Sequence, residues 1–273
     1  ELHRLFSSPT QVLERREFKY LVPEKVAQDM GRALSSICSR GAYSGPEGIY
    51  TIRSLYFDSA KFGCYWANER EQFERFKCRI RSYPPLSNNV WFEVKGREGD
   101  TIRKTRVRVS GRDWQELLRN PSIENLSKID LPGRNYAERF LSLIHTHHLS
   151  PKVLVEYDRE AFFSHVDDYA RVTFDRGVRC QIQEEASVEA QENAWRFVDN
   201  PIVTHTQGPM CVVELKFGAM VPRWMSVLVQ NFELLRYSFS KYCFSVDAQL
   251  LLPNSHVAGI QADRKSTRLN SSH

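Results

Sequence analysis

The chain of 273 residues has no apolar run approaching the roughly 18 residues that a membrane-spanning helix needs, which excludes insertion of this sequence into a bilayer by such a helix. No signal peptide is visible. Six cysteines are present (Cys38, Cys64, Cys78, Cys180, Cys211 and Cys243), but no CxxC pair, so neither a zinc site nor a disulfide framework is expected. Scattered thiols of this kind are expected to be reduced and buried in a cytoplasmic protein. There is no internal repeat and no linker of domain-separating composition. Nor is there a strong excess of one charge: the formal net charge is +5. The last eleven residues, DRKSTRLNSSH from Asp263 to His273, read as an in-frame translation of a sequencing adaptor and carry +2 of that charge, leaving +3. The domain expected is therefore 14–250, with an incomplete N-terminal lead at 1–13, a tail at 251–262 and read-through at 263–273.

What is present is a local charge pattern. Between Arg70 and Arg108 lie eleven basic residues against five acidic ones. They alternate with apolar residues: Lys77, Arg79 and Arg81 in FKCRIRSY, Glu93, Lys95 and Arg97 in WFEVKGR, Lys104, Arg106 and Arg108 in KTRVRV. Side chains at i, i+2 and i+4 of a strand share a face. Each segment therefore predicts a strand with cations on one side and apolar residues on the other, a self-repelling surface unless a polyanion fills it.

Other strands are predicted at 15–22, 50–58, 152–163, 170–175, 178–183 and 211–217. Helices are predicted at 24–38, 61–69, 112–119, 135–147 and 222–235. Gly99-Asp100 reads as a hairpin turn, and Asp175-Arg176-Gly177 as a tight turn between two strands. The stretch 184–209 is polar and reads as irregular. Antiparallel strands with inserted helices predict one α+β domain on a barrel-like sheet. The alternation also places charge in the barrel interior: Glu17 and Lys19, Arg53, Lys77 with Arg79 and Arg81, Glu93 with Lys95, Lys104 with Arg106, Tyr157 with Arg159, Arg171, and Glu214 with Lys216. Cations in such a place clamp phosphate oxygens, and a few carboxylates hold a bridging divalent metal.

REFKY at 16–20, RSLYFD at 53–58, KCRIR at 77–81, FEVK at 92–95, KTR at 104–106, YDR at 157–159, VELK at 213–216 and SKY at 240–242 together resemble the polyphosphate polymerase domain of the vacuolar transporter chaperone family, within the triphosphate tunnel metalloenzymes. The resemblance runs from about Leu13 to Leu250. It implies an eight-stranded antiparallel β-tunnel with helices outside. It implies phosphate-binding Lys19, Arg79, Arg81, Lys95, Lys104, Arg159 and Arg171, metal-holding Glu214, the Ser240–Lys241 pair near phosphate, and Tyr157 lining the tunnel. Arg15-x-Glu17-x-Lys19 stands where hydrolytic relatives carry ExExK, as in the polymerase branch.

The activity implied is transfer of the γ-phosphoryl group of ATP to a polyphosphate chain with Mn²⁺ or Mg²⁺. Arg79, Arg81, Arg159, Arg171 and Lys241 are the catalytic candidates. Lys19, Lys77, Lys95, Lys104, Arg106, Tyr157, Lys216 and Ser240 are candidates for phosphate binding, and Glu214, Glu17 and Glu93 for the metal. Glu17 and Glu93 read equally as structural partners of neighbouring cations, and Lys77 and Lys216 as counter-ions. Asp58 reads as a helix cap, Tyr56 and Phe57 as core, and His145, His147 and His148 as surface. The competing readings are a tunnel triphosphatase and a non-catalytic polyphosphate or inositol-phosphate module. Nucleic acid is disfavoured because Glu17, Glu93 and Glu214 would repel its backbone. The expected location is the cytoplasm or the inner face of a membrane, beside a separate membrane-protein partner.

Overall fold

The computed structural model describes residues 16–41, 48–99, 101–167, 169–198 and 208–250. Ten strands form in chain order: β1 Arg16–Pro23, β2 Cys38–Arg40, β3 Ile49–Asp58, β4 Glu74–Tyr83, β5 Ser87–Glu98, β6 Thr101–Val109, β7 Ser150–Ser164, β8 Arg171–Ile182, β9 Arg196–Phe197 and β10 Met210–Phe217. Seven α-helices are described: α1 Glu24–Leu34, α2 Gly63–Glu69, α3 Trp114–Arg119, α4 Ile123–Ser127, α5 Gly133–Thr146, α6 Arg223–Asn231 and α7 Lys241–Leu250. The strand path is β1-β10-β8-β7-β3-β4-β5-β6, with β2 beside β7 and β9 beside β8. The fold is α+β on an antiparallel sheet. No helix among the described residues is long and apolar enough to cross a membrane.

The chain divides into two compact units, one made of Glu1–Ile52, Glu156–Arg179 and Phe197–Ser240, the other of Arg53–Val155, Cys180–Arg196 and Lys241–His273. In the first, Tyr20, Val22, Val213, Leu215, Phe217, Val172 and Phe174 leave one side of the strands and pack on Ala27, Met30 and Leu34 of α1 and Met225 and Leu228 of α6. In the second, Phe57 and Phe92 pack on Phe140 of α5, at ring separations of 5.9 and 4.5 Å. On β4, Phe76, Cys78 and Ile80 are buried in alternation with the cations. Each unit thus turns apolar side chains to its helices and charge to the opposite face, as the two-residue period requires.

Several boundaries differ from the sequence reading. The first helix stops at Leu34 because Ser35 and Ser36 turn their hydroxyls back onto the carbonyls of Arg32 and Ala33. Cys38 already pairs with Ser164 in β2. The Asp175-Arg176-Gly177 turn does not form. β8 runs unbroken through it, and Gly177 takes φ +59° within the strand. Before the glycine β8 pairs with β10. After it, Val198 donates its N–H to the Val178 carbonyl, so Gly177 lets one strand change partners without reversing. The hairpin of β5 and β6 does form, with Glu98 opposite Thr101 and Gly99 at φ +55°, while Asp100 lies outside the described residues. Asp58 caps α2: it accepts from the N–H groups of Cys64 and Tyr65 at 2.9 Å each, and from the Tyr242 hydroxyl at 2.5 Å. The segments expected at 1–13, 251–262 and 263–273 lie outside the described residues.

Candidate phosphate-binding faces

The two charged faces share Lys, Arg and Glu side chains but pair them differently. On the first unit, the register sets Glu17 opposite Lys216 and Lys216 opposite Arg171; the next row sets Lys19 opposite Glu214 and Glu214 opposite Thr173. Glu17 with Lys216 and Lys19 with Glu214 are opposite-charge pairs, which are mutually favourable, whereas Lys216 and Arg171 are like charges. Glu214 is 5% exposed. Its carboxylate accepts from Arg159 at 3.2 Å and from the Thr173 hydroxyl at 3.4 Å, touches the Lys216 ammonium, and lies 3.7 Å from the Lys19 ammonium. Lys19 also stands 3.4 Å from Glu17 and donates to the carbonyl of Phe239, next to Ser240, at 2.9 Å.

Arg159 commits its fork to Asp175, with Nε–Oδ1 at 2.6 Å and Nη2–Oδ2 at 2.7 Å. Burial would lower the pKa of Arg159, but Asp175, Tyr157 and Glu214 raise it well above the ordinary arginine value. The guanidinium lies over the Tyr157 ring at 5.4 Å. Such a planar fork, once taken by a carboxylate, holds Glu214 in place rather than reaching outward. Arg171, by contrast, keeps a buried Nε with no hydrogen-bond partner among the described residues. Burial pulls Lys216 down to about 8, against the pull of Glu214 and with further lowering by Arg159.

The second unit carries one row of like charge and, beside it, a carboxylate between two arginines. Lys77 faces Lys95, and Lys95 faces Lys104; Arg79 faces Glu93, and Glu93 faces Arg106; Arg81 faces Trp91, and Trp91 faces Arg108. Like charges directly opposite one another are destabilising. Glu93 is 1% exposed and gathers four cations. Arg79 lies at 2.6 Å, Arg106 at 3.3 Å, Arg81 at 3.7 Å and Lys104 at 3.8 Å. Burial would raise the Glu93 carboxyl, but Arg81, Arg79, Lys104 and Arg106 hold it well below the usual carboxylate range. Its Oε1 has no hydrogen-bond partner among the described residues. Tyr56, stacked on Tyr242 at 5.1 Å, accepts from Arg79 at 2.8 Å. Burial would raise its hydroxyl, but Arg79, Arg81 and the buried Lys241 bring it below the ordinary tyrosine value. Lys77 donates to the Asn68 side chain at 2.6 Å.

The chemistry of the donors decides where a metal fits. Among the described residues no three His, Cys, Asp or Glu side chains come together as a metal cluster. Glu17 and Glu214 both converge on one cationic position, that of the Lys19 ammonium. That suits a hard divalent ion held by one or two carboxylates and completed by phosphate oxygens and water. Glu93, ringed by four cations, suits a counter-ion instead.

Asp175, Thr173 and Tyr56 belong to these faces but are absent from the sequence candidates, as are Trp91, Arg108 and Tyr83. Asp175 continues the alternation Arg171, Thr173, Asp175, but sits in a stretch that also reads as a turn. Thr173 belongs to the same alternation, and Tyr56 looks apolar in LYFD. Arg53 is a correction. It is not with the cations: Ser54 and Tyr56 reach Arg81 and Arg79, so the intervening period places Arg53 on the other face. There it donates to the Val188 carbonyl at 3.4 Å and lies over Trp195 at 6.0 Å. The three histidines are exposed at the end of α5.

The order of motifs and these two faces lead to one comparison. The model of the VTC domain matches residues 14–250. The chain belongs to the VTC domain family. No curated protein matches it. Among solved structures it is similar to a Bacillus halodurans protein provisionally described as an adenylate cyclase, with 13% identity, a TM-score of 0.46, and coverage of 84% of this chain and 94% of that one. It is also similar to the PH1819 protein of Pyrococcus horikoshii OT3, with 8% identity, a TM-score of 0.41, and coverage of 91% and 98%.

Proposed function

We propose that this VTC-domain chain is a polyphosphate polymerase that transfers the γ-phosphoryl group of ATP to the end of a polyphosphate chain. The observation that carries the reading is the lysine row beside Glu93 together with the four cations that gather on that carboxylate. A face that sets three lysines in register and surrounds a single carboxylate with four cations is complementary to a linear polyanion. Phosphoryl transfer asks for positioning and charge neutralisation more than covalent help. Arg79, Arg81 and Arg106 would grip equatorial oxygens, Lys77, Lys95 and Lys104 would hold the chain, and Lys241 would add to the field at Tyr56. On the other unit, Arg171 would offer its unpartnered Nε, with Lys19, Lys216, Ser240 and Tyr157 beside it.

Arg159 acts through its neighbours, keeping Glu214 oriented. Glu214 with Glu17 would hold Mn²⁺ or Mg²⁺, which supplies neutralisation of phosphate charge when bound. The acceptor is itself an ionised phosphate, so no general base is needed. Any membrane partner that moves product would be a separate chain, and the chain would work in the cytoplasm or at the inner face of a membrane. The alternative of triphosphate hydrolysis rests on the same cations, and the binding-module alternative on the same affinity without turnover.

The test is ³¹P NMR with ATP and Mn²⁺, beside a Glu214→Ala control. A growing internal-phosphate resonance with ADP, lost in the control, is the expected result. Orthophosphate alone would overturn polymerisation in favour of hydrolysis, and binding without turnover would leave a phosphate-binding module.

A further inference from the structure

The phosphate signals leave open what recognises the rest of a nucleotide. Along the cationic face of the second unit the rows follow one another at two-residue steps, about 7 Å each. The lysine row of Lys77, Lys95 and Lys104 comes first, then Arg79, Glu93 and Arg106, then Arg81, Trp91 and Arg108. The face therefore changes character at one end, from cations alone to cations with aromatics. Trp91 and Tyr83 are both partly exposed and meet edge to face, with centroids 4.9 Å apart. Arg106 lies over both rings, 5.0 Å from Trp91 and 5.6 Å from Tyr83, and donates to the Tyr83 hydroxyl at 2.8 Å. The same Arg106 stands 3.3 Å from Glu93. One guanidinium thus joins the phosphate-facing cluster to the aromatic pair.

We infer that Trp91, supported by Tyr83 and Arg106, is a stacking platform for the nucleobase of a nucleoside triphosphate whose phosphates lie on the Arg79–Glu93–Arg106 and lysine rows. This rests on the proposed phosphate-binding role of that face and adds the part that tells a nucleotide from inorganic triphosphate. The spacing suits it: the lysine row and the Trp91 row are separated by about 13 Å, four strand residues, the reach of an extended nucleoside triphosphate. Stacking on an aromatic face tolerates any base, so the platform selects nucleotides as a class.

The platform reading and a purely supporting role differ in what they predict for Trp91→Leu. Binding of the β,γ-methylene analogue of ATP and of inorganic tripolyphosphate is measured by titration calorimetry in Mg²⁺ buffer, with circular dichroism confirming the fold. The expected result is binding of the ATP analogue weakened about tenfold, tripolyphosphate binding unchanged, and most of the loss restored in Trp91→Phe. Equal weakening of both ligands would overturn the platform, because Trp91 would then act only by holding Arg106; no change in either would overturn it too. A wild-type chain that binds neither ligand would instead overturn the phosphate reading on which the platform rests. If Trp91→Leu fails to fold, Trp91→Phe against Trp91→His makes the same comparison.

Discussion

Replacing Glu93 by Gln keeps the shape of the side chain and removes the charge around which the cationic face is arranged. Four cations lie within 4 Å of that carboxylate, which is almost wholly buried. Lys104 and Arg106 are 46% and 41% exposed, so solvent screens their share. Arg79 and Arg81, at 20% and 7%, carry most of it. Removing one partner of a buried ion pair costs about 3–5 kcal/mol, because the other charge is left uncompensated. For a chain of this size that corresponds to a fall of about 6–20 °C in Tm. The variant should also gain affinity for polyanions, since one negative charge no longer competes for the cations. Tripolyphosphate at about 100 times its Kd should return about 2.7 kcal/mol, a gain of several degrees.

The pH dependence follows with a definite sign. The folded pKa of Glu93 is depressed, so its contribution is present above the unfolded value of about 4.3 and is lost as pH falls through the folded value. Glu93→Gln should therefore lose stability at neutral pH and show a shallower decline in acid. The assay is thermal denaturation from pH 7 down to pH 3, with and without tripolyphosphate. A variant as stable as the wild type, or one that polyanion does not rescue, would refute the view that Glu93 is the counter-ion of an anion-binding face.

Asp175→Asn should destabilise the chain by about 3–5 kcal/mol in urea denaturation, since it strips the buried Arg159 of its bidentate partner; an unaffected midpoint would contradict the role given to Asp175. Lys216, with its folded pKa pulled down to about 8 against an unfolded 10.5, is a Lys whose protonated form is disfavoured by folding. Its penalty is full below about pH 8 and fades as pH rises toward 10.5, so this group makes the chain relatively more stable in base. The same value predicts that tripolyphosphate binding takes up protons near pH 8, which calorimetry in two buffers of different ionisation enthalpy would register, and that Lys216→Met abolishes the uptake. All six cysteines are free and buried, so a thiol reagent should react slowly with the native chain and with six equivalents in guanidinium; fewer than six would reveal a disulfide.

The alternation in FKCRIRSY, WFEVKGR and KTRVRV is enough to place the cations of the second unit on one face, because in each segment every second residue is apolar and small local signals do not compete. Two residues show where that logic stops. In TIRSLYFD both faces are buried, so the period has no polar side to mark it, and a lone Arg53 is a poor guide to the charged face. At Asp175-Arg176-Gly177, a turn and an in-strand irregularity both ask for a glycine at positive φ, and the same three letters serve either. The choice is made by partners far away in sequence: β10 before the glycine, β9 after it, and Arg159 waiting opposite Asp175.

The difference between the two charged faces lies in composition and in register together. The two share ExK segments, Glu17-x-Lys19 and Glu214-x-Lys216 on the first and Glu93-x-Lys95 on the second, but the second adds Lys77-x-Arg79-x-Arg81 and Lys104-x-Arg106-x-Arg108 and so carries more cations. Pairing sets Glu17 against Lys216 and Lys19 against Glu214 on the first, and Lys77 against Lys95 and Lys95 against Lys104 on the second. A slip of two residues would keep every apolar side chain on its face while exchanging the cross-strand neighbours, so the hydrophobic pattern that specifies the face does not by itself specify the charge pairing. The first face neutralises most of its own charge and keeps carboxylates that can share a divalent cation. The second face sets more cations than carboxylates, with Glu93 at their centre, and such a field is lowest in energy when an anionic chain lies along it.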